Sequence, residues 1–532
     1  MYDKKFLSLF KVNETEQDKQ FQNYFLETTI FQELIQNQTN IVYGTKGSGK
    51  SALMIALTEI HRSTYVDTYC INLKNLSFNT FYKYISEFSD LTDIELDRLT
   101  TVVWKKTFVF YCLYLVYKSQ KTIPYIKDKV KTVLNKFIIE ENLNIEEISE
   151  GGTAPINSIQ NLFQKFYNAP IHKNDIKKNT IYQDNILKTY YFDATIESIF
   201  EELIRLADEN YYLICLDGLD TIVEHTQISR KSVFKGLISA VIELRNDKHI
   251  SNLFNLTIFL PNELTYDSRT QIWDIDKIKN FTFFLRWDRE ELENFIWKRI
   301  STVSTKTYIK FPDVWNDYFP DKIYNDIHSI EENTFEYILR HTLFRPRQLQ
   351  DHIYNLTRKW SITGSSTKMN SSFIPKVVRQ TNMALSEETI NIVNYSFKNF
   401  DKFMFSFKGM PSVINASVVR THIKNYLLYF QEEGVQDINF IFEELLNFGI
   451  FGIEEEKDEE IQTPLASNFA ETKMKYFEFS FVGGLLNTRF ESEAIKDERM
   501  VAIAPMFREY CELIKNADFI VIPVQKGRRF WK

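Results

Sequence analysis

The chain reads as α/β, a parallel sheet alternating with helices, and three observations predict it. A glycine-rich run, Gly44 to Ser51, lies between a β-branched strand candidate and a helix candidate. A second apolar run, Tyr211 to Leu216, ends in Asp217. Further strand and helix candidates alternate downstream, as in crossover connections between parallel strands. The full expectation is a P-loop nucleotide-binding core with a parallel sheet, a helical insertion, a helical lid and a C-terminal winged-helix-like domain.

Gly44-Thr45-Lys46-Gly47-Ser48-Gly49-Lys50-Ser51 meets every fixed position of the phosphate-loop pattern. Glycines suit such a loop because backbone N–H groups must close around phosphate oxygens, where a Cβ would obstruct them. The helix continuing through Ala52 offers free N–H groups and a positive dipole end to the same anion. Lys50 is expected to face solvent until phosphate arrives and then to reach the β- and γ-phosphates. The Ser51 hydroxyl is expected to ligate Mg²⁺. The bland alternative is a glycine-rich strand-to-helix turn without a ligand, and the matching flanks argue against it.

A hydrophobic strand delivering a carboxylate at its C-terminal end is how such enzymes hold Mg²⁺, so Asp217 is the second metal-side residue. Two more positions extend the candidate site. Leu256 to Leu260 reads as a buried strand, and Asn262 just past its tip is placed to bond a γ-phosphate or an attacking water; it is also an ordinary turn former after Pro261. In Arg345-Pro346-Arg347, Pro346 suits the first position of a helix with Leu349, Ile353 and Leu356 on its apolar side. A first-turn Arg opposes the helix dipole, so Arg347, and with less reason Arg345, calls for an anion. A nucleotide phosphate would serve, and so would a carboxylate such as Asp351.

The 532 residues allow two to four domains, and the scarcity of Gly (15) and Pro (12) argues against long unstructured tracts. A net charge of −7 argues against broad nucleic-acid binding and leaves room for a local basic patch. Cys70, Cys112, Cys215 and Cys511 form no C-x-x-C pair, which disfavours a zinc site or a disulfide framework. No signal-like stretch opens the chain, and the apolar run Thr107 to Tyr117 is too short to span a bilayer. The expected setting is soluble, reducing and cytoplasmic, without a membrane.

The expected organisation is a helical lead-in over 1–38, the nucleotide core over 39–300 with a helical insertion at about 80–206, a helical lid over 301–385, and a winged-helix-like unit over 386–532. In the last unit, Phe440 to Phe448 reads as a helix and Gly449 to Ile453 as the start of a strand. An acidic tip, Glu454 to Glu460, follows, and Lys475 to Phe481 reads as the returning strand. An acidic wing weakens a DNA-phosphate role.

These motifs together resemble AAA+ and STAND-type ATPases. The resemblance is strongest to a bacterial group of stand-alone P-loop ATPases with Tyr24-Phe25 and Thr28-Thr29 ahead of the loop. It covers about 1–80 and 205–532, and implies ATP and Mg²⁺ as ligands, a homo-oligomer and an origin-recognition-like architecture. Members often sit in antiphage defence loci beside a separate effector, which implies such a partner here. The sequence departs from the family where AAA+ enzymes follow the magnesium Asp with a water-activating Glu: this chain has Gly218. Asp220, then Glu224, are the remaining candidates for the base, and slow hydrolysis fits that shortage. No guanine-reading Asn-Lys-x-Asp run is present, favouring ATP. The alternatives are a DNA-binding ATPase that reads nucleic acid with its winged helix, and a nucleotide-gated scaffold with little turnover.

Overall fold

A computed structural model describes residues 4–11, 18, 20–72, 93–141, 194–206, 211–219, 227–261, 279–304, 306–307, 309–363, 368–394, 397, 399–427, 438–454, 475–481, 495–514 and 519–524. The chain divides into two compact units. One comprises Thr29–Gly44 and Lys50–Phe284; the other comprises Met1–Thr28, Thr45–Gly49 and Leu285–Lys532.

The first unit is built on an all-parallel sheet of β1 (Ile41–Gly44), β2 (Thr68–Asn72), β3 (Tyr212–Asp217), β4 (Phe254–Pro261) and β5 (Thr282–Phe284). The strand order is β2-β3-β4-β1-β5. Every residue of β1, β3 and β4 is buried, as expected of parallel strands covered on both faces. β1 lies between β4 and β5, with Tyr43 stacked on Phe284 at 5.1 Å. Such a sheet is compatible with a P-loop core, where ligands collect beyond the carboxyl ends of the strands. Strands stand where the sequence predicts them before Gly44, at Tyr211 to Leu216 and at Leu256 to Leu260. Cys70 and Cys215, far apart in sequence, stand in register on β2 and β3, and both are free thiols.

Within the interval expected to be helical, helices span Asp93–Lys118, Pro124–Glu141 and Ala194–Leu206. The first packs along Gln227–Asn246, where Trp104 Nε1 donates to the Val233 carbonyl and Lys235 pairs with Asp97. Among the described residues no helix is long and apolar enough to cross a membrane.

In the second unit, helix Arg289–Ser301 opens with a capping box between Asp288 and Glu291. It grips the lead-in: Arg299 is buried over the Tyr24 and Phe295 rings and donates to the Leu9 carbonyl, while Lys298 donates to that of Phe25. Residues 301–385 are not wholly helical. A hairpin of β6 (Lys322–Asn325) and β7 (Ile330–Asn333) interrupts them. Its buried Glu332 is held bidentately by Arg340 at 2.7 and 3.0 Å and by Asn325 at 2.6 Å, which offsets the cost of burying that carboxylate.

A second five-stranded sheet follows, of β8 (Val413–Asn415), β9 (Phe451–Glu454), β10 (Lys475–Ser480), β11 (Met500–Ile503) and β12 (Phe519–Val524), ordered β12-β10-β9-β11-β8. Helices Ala416–Asn425 and Ile438–Asn447 lie between β8 and β9 in sequence. The expected returning strand is β10, antiparallel to β9. β9 pairs over three residues with β11, whereas β10 meets β9 only at Phe479 and Ser480 and runs parallel to β12. The acidic tip at 455–460 lies outside the described residues.

Candidate nucleotide site

In the unit holding the parallel sheet, the chain leaves β1 at Gly44 and resumes at Lys50, the first residue of helix Lys50–Ile55. Ser51, one residue into that helix, donates from Oγ to Asp217 Oδ2 at 2.6 Å. Asp217 closes β3 and is 2% exposed. A hydroxyl from helix Lys50–Ile55 and a carboxylate from the end of β3 thus meet.

Lys50 corrects one expectation. It is 4% exposed rather than solvent-facing, and its Nζ donates to the Gly44 carbonyl at 2.7 Å. The ammonium is held on the last residue of β1 by a charge-assisted bond that a phosphate oxygen could replace.

Gly218 follows Asp217 at φ +90°, in the region that side chains with a Cβ rarely adopt. The departure from a water-activating Glu there has a backbone cause, because the sharp turn out of β3 favours glycine. Asp220, Glu224 and Asn262 lie outside the described residues. Pro261, just before Asn262, is in register with Gly44.

Residues Thr45–Gly49 group with the second unit. Gly47 and Gly49 have φ of +84° and +104°. Helix Pro346–Thr363 begins at the expected proline. Its Arg347 N–H donates to the Gly47 carbonyl at 3.4 Å, so a loop carbonyl satisfies one of the free first-turn donors of that helix. A Cβ built on Gly47 would stand 3.0 Å from Arg347 Cβ. The Arg347 guanidinium is 3.9 Å from Glu388 Oε1, and Lys46 Nζ is 3.6 Å from the same oxygen. Glu388, on helix Phe373–Asn394, is thus a carboxylate beside Arg347 that the sequence did not single out. Burial raises the Asp351 carboxyl to about 6, against the opposing pull of Arg347.

Arg345 is buried and donates to the Phe448 carbonyl at 3.3 Å. Arg245 is half-buried against Phe281 and donates to Asn37. Ser48 is 2% exposed, and its hydroxyl oxygen has no hydrogen-bond partner among the described residues.

Sequence reasoning missed Trp287. Its Nε1 donates to the Ser48 carbonyl at 2.7 Å, and its ring edge lies beside Gly49, where a Cβ would come within 3.8 Å of Cζ2. The only available signal was its position between a strand end and a capping Asp.

Among the described residues, no group of three or more His, Cys, Asp and Glu could hold a metal. The pair Ser51 and Asp217 nevertheless fits Mg²⁺, which keeps several waters and takes only one or two protein groups beside substrate phosphates. Neither a family model nor a curated protein matches this chain.

Proposed function

We propose that the chain binds ATP with Mg²⁺, hydrolyses it slowly, and uses the cycle as an oligomeric switch. The observation that carries this reading is the 2.6 Å contact between Ser51 and Asp217, in a chain whose sequence has every fixed residue of the phosphate-loop pattern. Mg²⁺ would neutralise charge on the β- and γ-phosphates and orient them for attack. Backbone N–H groups from Gly44 to Ala52 would surround phosphate oxygens, and Lys50 would exchange the Gly44 carbonyl for them. Asn262 would orient water or the γ-phosphate. Asp220, or failing it Glu224, would accept the water's proton. With Gly218 where a water-activating Glu usually stands, slow turnover follows.

The switch part rests on the resemblance to AAA+ and STAND-type ATPases and on a sequence in which no Ser/His/Asp, metal-hydrolase or nuclease constellation stands out. A separate effector in an antiphage defence system would then supply the toxic chemistry. The DNA-reading alternative has less support. Helix Ile438–Asn447, the last before β9, carries Glu443 and Glu444 and no Lys or Arg. It offers nothing to neutralise DNA phosphates.

The test is calorimetric titration of ATP with and without Mg²⁺, followed by single-turnover hydrolysis. Micromolar, Mg²⁺-dependent binding with turnover above a Lys50→Ala control supports the reading. Binding with turnover equal to that control selects the scaffold alternative. No binding to wild type removes the assignment.

A further inference from the structure

Trp287 is three residues past β5 and directly before Asp288, the N-cap of helix Arg289–Ser301. Both neighbours fix it. The capping box holds the backbone on one side, and Phe295, from the same helix, packs edge-on against the indole at 5.9 Å. So placed, the buried Nε1–H donates to the Ser48 carbonyl at 2.7 Å.

A trans peptide plane directs its C=O and its N–H to opposite sides. Holding the Ser48 carbonyl on the indole therefore turns the Gly49 N–H away from Trp287. A buried carbonyl needs a donor, and without one the Ser48–Gly49 plane has no reason to keep this orientation. Were the plane to flip, a carbonyl oxygen would replace an N–H on the opposite side and repel any anion there. Gly49 at φ +104° makes such a flip accessible, because glycine is as free on one side of φ as on the other. The indole is also the right chemistry for the task. It is a donor with no acceptor, and it brings no charge that could pair with Glu388 or with phosphate.

We infer that Trp287 is a positioning residue that presets the Ser48–Gly49 peptide of the phosphate loop for polyphosphate binding. This rests on the reading of the loop as a nucleotide site.

Trp287→Phe keeps the ring against Phe295 and Gly49 and removes only the donor. Trp287→His restores a ring N–H. The probes are Mg–ATP and Mg–tripolyphosphate, the second isolating the phosphates from the base, titrated by calorimetry into the full chain. Trp287→Phe is expected to weaken both ligands by the same factor, about 5–50-fold, from one buried carbonyl losing its donor. KM for ATP should rise by that factor with kcat within about twofold, because the interaction serves ground and transition states equally. Trp287→His should recover part of the loss.

Tripolyphosphate binding within twofold of wild type in Trp287→Phe overturns the inference, as does a loss confined to ATP. If thermal melts show Trp287→Phe unfolded, the His variant decides: a folded Trp287→His with wild-type-like affinity supports the donor role, and one as weak as Lys50→Ala overturns it. Wild-type protein that binds neither ligand overturns the nucleotide reading itself, a distinct outcome.

Discussion

Ser51 Oγ and Asp217 Oδ2 are 2.6 Å apart, although 166 residues separate them in sequence. The bond joins the first turn of helix Lys50–Ile55 to the end of β3, and it sets the position an Mg²⁺ ion would share. Asp217→Asn keeps the size and can still bond the hydroxyl, but removes the charge. It should leave nucleotide binding without Mg²⁺ unchanged and cut the Mg²⁺-dependent gain by roughly 10–100-fold, the usual cost of losing a group that orients a metal shell. Calorimetry with and without EDTA reads both. Equal losses in the two conditions would show Asp217 to be structural.

Lys50→Ala should abolish Mg–ATP binding. It also has a structural cost that a solvent-facing lysine would lack, since Nζ holds the Gly44 carbonyl inside the fold. Removing a charged donor from a buried acceptor costs about 1.5–3 kcal/mol. Urea denaturation should detect that loss in the absence of nucleotide. Lys50→Met, which keeps most of the stem, should recover its packing share while still failing to bind ATP. Unaltered ATP affinity in either variant would sink the loop assignment.

The legible parts of this site are those in which backbone geometry restricts residue choice. A loop that must take φ of +84° and +104° writes its glycines into the sequence, and a buried strand ending in a carboxylate is as easily read. Trp287 left no such mark: one aromatic residue before a capping Asp has no period, and its partner Ser48 is 239 residues away. The β6–β7 hairpin was missed for a related reason. Ile330–Asn333 is mostly polar, and Glu332 is inside only because Arg340 and Asn325 meet it there. Glu388 was likewise invisible, since only the packing of its helix brings it to Lys46 and Arg347.

Gly47→Ala is expected to damage the loop twice over. Ala at φ +84° is strained, on the order of 1 kcal/mol, and its Cβ would stand 3.0 Å from Arg347 Cβ. Arg347→Ala keeps that Cβ, so it should not rescue Gly47→Ala, whereas Arg347→Gly should relieve part of the defect. ATP affinities of the two double variants decide this. Equal rescue by both would mean that the Arg347 side chain beyond Cβ, not the Cβ itself, is what Gly47 avoids.

Glu336 gives the fold a pH dependence. It is 4% exposed, and burial raises its carboxyl to about 7 although Arg289 lies 3.1 Å away and pulls the other way. A raised folded pKa means that the folded state binds the proton more tightly than the unfolded state. The stability it contributes is present below about pH 4.5 and is lost as pH rises through 7, by at most about 3 kcal/mol. Glu336→Gln should flatten the dependence of unfolding free energy on pH between these limits. A slope that persists unchanged in that variant would assign it to other groups.

Arg347 should couple nucleotide to assembly. Its guanidinium and the Lys46 ammonium share one oxygen of Glu388 at 3.9 and 3.6 Å, with all three side chains more than a third exposed. Such pairs are worth about 0–1 kcal/mol each, so a polyphosphate of higher charge would take both cations from Glu388 at little cost. The same helix end is tied to the loop through the Arg347 N–H and the Gly47 carbonyl, so a change at the loop reaches helix Pro346–Thr363 directly. A non-hydrolysable ATP analogue is therefore expected to move the wild-type protein to a larger species in sedimentation velocity, and Arg347→Ala to blunt that shift while retaining binding. Glu388→Gln, which frees both cations in advance, should raise ATP affinity by a few-fold, within the range of one weak pair. An unchanged mass in wild type would remove the switch reading, and a full shift in Arg347→Ala would leave that residue only its part in capping the helix.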